Sequence, residues 1–134
     1  METVRTIYLG DLRTEATHVQ SGTTITTDAP VDNQGRGEYF SPTDMVAAAL
    51  ASCALTIMGI AARDNGFSID GATAKITKIM ASDPRRIAEV QVVYDFSAVR
   101  LNDDQKEIIE HTSKNCPVCL SLHPDLKRNI TINY

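Results

Sequence analysis

Two of the chain's three cysteines stand close together in the stretch Asn115-Cys116-Pro117-Val118-Cys119-Leu120, and the third, Cys53, lies far upstream. A cysteine acts as a nucleophile or metal ligand only as its thiolate, so each sulfur must be judged by what its surroundings do to that charge. Pro117 suits the first position of a helical turn. That places Cys116 at a cap, where backbone N–H groups point outward and favour an anion. Cys53 instead sits midway along an apolar run, where cysteine ordinarily behaves as a small buried hydrophobe. A thiolate there needs a cation from elsewhere, and Arg5, Arg13 and Arg36 are the candidates.

The sulfurs admit several chemistries besides packing. A thioredoxin-like C-x-x-C follows a strand near the start of a βαβ unit, whereas this one follows a helical segment late in the sequence. Zinc would draw on Cys116, Cys119 and His123 with Cys53 as a fourth ligand, a donor set compatible with tetrahedral zinc. The spacing is not a strong zinc signature, and His123 before Pro124 fits a surface turn equally well. A further option pairs Cys116 with Cys53. A thiolate that opens a peroxide O–O bond becomes a sulfenic acid, which a second thiol captures as a disulfide. That chemistry requires one sulfur in an apolar pocket and another close enough to condense.

The elements that must position these residues are legible in the pattern. Residues 1–30 are rich in Thr, Ile and Val, with breaks at Gly10-Asp11 and Ser21-Gly22, which predicts two or three short antiparallel strands. A polar loop with Pro30, Gly35 and Gly37 follows. Ser41-Pro42-Thr43-Asp44 then opens a helix with a hydroxyl cap, proline at the first position and an acid in the first turn. The helix runs apolar from Met45 to Ala62 and stops near Gly66, a C-terminal capping residue. It is long enough for a membrane span, but its alanines contribute little transfer energy. The expectation is a soluble helix buried on nearly every face, partly by a second subunit. A hairpin follows, in which Ala88, Val90, Val92, Tyr94 and Phe96 share one side and Glu89, Gln91 and Asp95 lie mainly on the other. Asn102 or Asp103 starts a second helix ending at the C-x-x-C stretch, and Ile130, Ile132 and Tyr134 alternate in a last strand. The order is that of an α+β domain.

The bulk properties narrow the function classes. A chain of 134 residues with 43% hydrophobic content fits one domain, 1–134, with a single core. A formal charge of -4 without a basic cluster gives no footprint for nucleic acid. Three cysteines cannot all pair within one chain, and no charged-then-apolar leader opens the sequence, so free thiols in the cytoplasm are expected. No metal or organic cofactor is expected, and neither is a membrane partner.

The motifs "FSPTDMVAAALASCALTIMGIAA" and, later, "NCPVCLSL" resemble the osmotically inducible and organic hydroperoxide resistance (OsmC/Ohr) family, with similarity over nearly the whole chain. The resemblance implies an α+β fold in which antiparallel sheets wrap a long central helix in an intertwined homodimer. It implies a cysteine peroxidase that reduces organic hydroperoxides to alcohols, with a dithiol or lipoylated protein as reductant. Matched motif to motif, the attacking thiolate falls on Cys53 and the resolving thiol on Cys116, while Cys119 receives no role beyond packing. The chain departs from the family's peroxidases in two places. "HVQSGTT" lacks an arginine in the approximate region where they carry one, and Thr43 follows Pro42 where they carry glutamate. Arg36 and Asp44 are the remaining supporting candidates. The alternative is a non-peroxidatic relative that binds a small apolar or thiol ligand between subunits.

Overall fold

The alternating Thr, Ile and Val residues at the start of the chain form strands, and the glycine breaks form the turns between them. A computed structural model describes residues 1–134, which fall into two units, Met1–Val46 and Ala47–Tyr134.

In the first unit, β1 (Val4–Gly10), β2 (Arg13–His18) and β3 (Thr24–Asp28) make an antiparallel sheet in the order β1-β2-β3. Gly10, Asp11 and Leu12 take positive φ in the first turn, and Gly22 does so in the second. β1 leaves Val4, Ile7, Tyr8 and Leu9 exposed. The polar loop contains one turn of 3-10 helix at Val31–Asn33. It folds tightly back on the residue that follows β3: a Cβ at Gly35 would stand 1.7 Å from the Ala29 carbonyl oxygen, so only glycine fits there.

The long helix α1 runs Pro42–Asp64. The Ser41 hydroxyl accepts from the Asp44 N–H and the Asp44 carboxylate accepts from the Ser41 N–H, each at 3.0 Å, a reciprocal capping box. Gly66, at φ 76°, follows the C-terminal end. By length and composition α1 could cross a membrane. Within a single chain its burial is one-sided. Ala47, Leu50, Ala51, Ala54, Met58 and Ala62 recur at three- and four-residue spacing and are buried. Ala49, Ser52, Thr56, Ile60 and Arg63 follow the same spacing on another side and stay exposed. One chain covers one stripe of a cylinder, and an apolar composition cannot create neighbours for the rest.

In the second unit, β4 (Thr73–Ala81) and β5 (Arg86–Asp95) form the expected hairpin, joined by β6 (Lys127–Asn133) on the other edge of β5. Val90, Val92, Tyr94 and Phe96 all point into the core. Pairing is antiparallel for β4 with β5 but parallel for β5 with β6. The expectation of purely antiparallel sheets is therefore corrected: the second sheet is mixed. The cause is the connection, because α2 (Asp103–Thr112) and α3 (Pro117–Ser121) carry the chain back to the starting end of β5 before β6 begins. Asn102 caps α2 with a full capping box to Gln105, and Ile109 of α2 is wholly buried.

Candidate active site: three thiols around a buried tyrosine

Two helices, α1 and α3, carry the sulfurs. Cys53 lies on α1 between its buried and open stripes and is half-buried. Cys116 caps α3, with extended backbone at φ -76° and ψ 149° and Pro117 next in line, and its side chain is fully buried. Cys119, within α3, is half-buried. Its backbone N–H donates to the Cys116 sulfur at 3.4 Å. All three cysteines are free and pack into the same hydrophobic cluster.

The electrostatics tie the sulfurs to one another. Burial pushes the Cys116 thiol up from its ordinary value, the Cys119 N–H pulls the other way, and Cys53 pushes it up further as a side-chain hydrogen-bonding and charged neighbour. Taking a thiolate out of water costs more than one weak N–H···S bond returns, so Cys116 stays a neutral thiol at neutral pH. Tyr94 of β5, with no exposed surface, is raised well beyond the ordinary tyrosine range, first by burial and then by Cys116, Cys119 and Cys53.

Arg128 of β6 holds this corner in place. Its guanidinium donates to the carbonyl oxygens of Cys119 at 2.9 Å, Leu122 at 3.1 Å and Leu126 at 2.9 Å. The bonds to Cys119 and Leu122 satisfy carbonyls at the end of a short helix, and the bond to Leu126 fixes the residue before β6. Neither Tyr94 nor Arg128 was singled out as a site residue from the sequence. The alternation of the hairpin does point Tyr94 inward. Nothing local marks Arg128, because its partners lie on a preceding helix and loop.

The other candidates occupy plainer positions. Asp44 is engaged in the α1 capping box. Arg36 is exposed in the loop before α1. Arg5 is exposed and pairs with Glu2. Arg13 spans Asp28 at 3.4 Å and Glu38 at 2.9 Å, and its guanidinium lies 5.1 Å from the centre of the Tyr39 ring. His123 is exposed on a turn, accepts the Asp125 N–H at 3.0 Å and approaches that residue's carboxylate. No set of three or more His, Cys, Asp or Glu side chains has metal-holding geometry.

Residues 35–131 match the family model of the OsmC-like protein. The chain belongs to the OsmC-like family. A proposed osmotic stress induced and detoxification response protein from Psychrobacter arcticus 273-4 is 52% identical, with 99% of this chain and 96% of that one aligned at a TM-score of 0.94. The same fold is present in an organic hydroperoxide resistance protein OsmC from Legionella pneumophila, at 14% identity, with 100% and 98% of the chains covered and a TM-score of 0.77. It is present also in an OsmC like protein from Mycoplasma pneumoniae, at 20% identity, 97% and 94% coverage and a TM-score of 0.77. No protein of curated function matches the chain. The α+β architecture, with one antiparallel sheet, one mixed sheet and a long helix, is thus that of the OsmC/Ohr proteins.

Proposed function

We propose that this protein is a thiol-dependent peroxidase that reduces organic hydroperoxides to alcohols. The observation that carries this reading is the meeting of Cys53 and Cys116, remote in the chain, inside one apolar cluster. The Cys53 thiolate attacks the terminal oxygen of the hydroperoxide, the O–O bond breaks, and the alkoxide leaves as the alcohol after taking a proton. Cys53 is then a sulfenic acid. The Cys116 thiol displaces its hydroxyl as water, forming the Cys53–Cys116 disulfide. A dithiol or a lipoylated protein returns both sulfurs to thiols. Burial supports this division of labour, because a Cys116 held neutral suits the resolving partner better than the attacking one. The apolar helix and cluster around Cys53 favour an alkyl hydroperoxide over hydrogen peroxide, because the alkyl chain leaves water on binding.

The active form we assign is a cytoplasmic homodimer. Ile60 on the open stripe of α1 and the exposed Val4, Ile7, Tyr8 and Leu9 of β1 are apolar surface that a second copy would remove from water. Consumption of cumene hydroperoxide with a dithiol donor tests the chemistry. Both Cys53→Ser and Cys116→Ser are expected to lower steady-state turnover at least a hundredfold. Only Cys116→Ser should still consume a first equivalent, leaving a sulfenic acid that dimedone labels. If both variants turn over like the parent, the peroxidase reading fails and ligand binding between subunits takes its place.

A further inference from the structure

The peroxidase chemistry leaves Cys119 unused, yet Cys119 lies on a cavity of about 500 Å³ whose lining includes Lys114, Lys127 and Arg128. Three cations around one thiol are unusual in a chain of net charge -4. Lys127 is drawn to Glu89 at 3.3 Å. Arg128 spends its hydrogen bonds on carbonyl oxygens, so its charge meets no carboxylate there. The cavity therefore favours an anion. Cys116, by contrast, is closed to solvent. The two residues share one helical turn, in which positions three apart have Cα atoms about 5 Å apart, within the roughly 4.4–6.8 Å that a disulfide spans. The Cys119 N–H already contacts the Cys116 sulfur.

We propose that Cys119 is a third redox thiol, which moves the disulfide from Cys53–Cys116 to Cys116–Cys119, where a carboxylate-bearing dithiol enters the basic cavity and reduces it. This rests on the peroxidase reading above. The Cys119 thiolate attacks the Cys116 sulfur. A new S–S bond forms there as the Cys53–Cys116 bond breaks, and the electron pair leaves on Cys53, which regains its thiolate with no net oxidation. One thiolate of the reductant then attacks Cys119, and Cys116 leaves and takes a proton. The reductant's second thiol closes its own disulfide and releases Cys119, so two electrons pass to the protein. Because Cys53 is freed before any reductant arrives, it can meet a second peroxide.

The test counts cumene hydroperoxide consumed by reduced protein without a reductant. The parent should consume two equivalents per chain, ending with a Cys116–Cys119 disulfide by peptide mapping and a dimedone-labelled Cys53. Cys119→Ser should consume one and stop at Cys53–Cys116. The pair Lys114→Gln and Lys127→Gln should slow reduction by dimercaptosuccinate at least fivefold more than reduction by uncharged dithiothreitol, an effect that added salt removes. A parent that stops at one equivalent with only the Cys53–Cys116 bond overturns the relay, as does a double variant that treats both reductants alike. If the parent consumes no peroxide, the peroxidase reading fails by itself, and diamide-oxidised protein decides the relay. A Cys116–Cys119 bond with charge-sensitive reduction supports it, and the absence of that bond overturns it.

Discussion

Asp28 in the first unit and Cys116 in the second are both buried and both ionisable, yet the fold shifts them in opposite senses. Burial pushes the pKa of each upward. At Asp28 that push is outweighed by the Glu38 N–H at 3.1 Å and by Arg13, so the carboxyl ends below its ordinary 3.8. At Cys116 the single N–H from Cys119 is too weak to outweigh burial, and the thiol ends above its ordinary 9.0. Desolvation is common to both sites, and the number and charge of the donors set the sign. A buried charge needs several partners. A buried neutral thiol needs none, and so remains available to a neighbouring sulfur.

The two units also differ in how much of their apolar surface the chain itself covers, and this gives the largest expected effect. Met58→Ala, at a wholly buried position, should destabilise the protein by about 2–5 kcal/mol in urea unfolding, the usual range for opening a cavity in a packed core. Ile7→Ala, on the exposed β1, should change the monomer by less than about 0.5 kcal/mol at high dilution. A larger loss at concentrations where dimers form would mark β1 as covered in the assembly. The comparison breaks if both substitutions cost the same.

Removing a partner from the charged cluster comes next. Arg13→Met leaves Asp28 buried beside Glu38 without its cation, and the melting temperature should fall by several degrees. The same variant should recover part of that loss on acidification, since protonating Asp28 removes the unpaired charge. Unchanged melting would show that backbone donors alone stabilise the carboxylate.

The smallest effect is the pH dependence, and its sign differs between the two groups. Asp28 has a lowered folded pKa, so its contribution is present above the unfolded value and lost as the pH falls below about 4. Cys116 has a raised folded pKa, so its contribution is complete below the unfolded thiol value and lost as the pH rises above 9.0. Urea midpoints for the parent and Cys116→Ala should therefore converge on the alkaline side and not on the acidic side. Convergence on the acidic side instead would reverse the assignment.

Local signals were read from the chain with little loss. The α1 start was legible because Ser41, Pro42 and Asp44 satisfy a helix end within four positions, and the β5 alternation was legible because a strand's two faces are adjacent in sequence. The parallel seat of β6 was not, since strand direction depends on where a connection returns the chain. Arg128 was invisible for the same reason: the carbonyls it binds belong to α3 and the loop after it.

By itself the sequence determined which residues can carry redox chemistry and which segments are helix or strand, because side-chain type and short-range periodicity are properties of neighbours along the chain. Only the tertiary structure decided that Cys53, Cys116 and Cys119 pack into one hydrophobic cluster with Tyr94, and that Cys119 lines a basic cavity. Contacts between remote residues are fixed by packing, and solvation, which sets whether a sulfur or a carboxylate keeps its charge, exists only once that packing is complete.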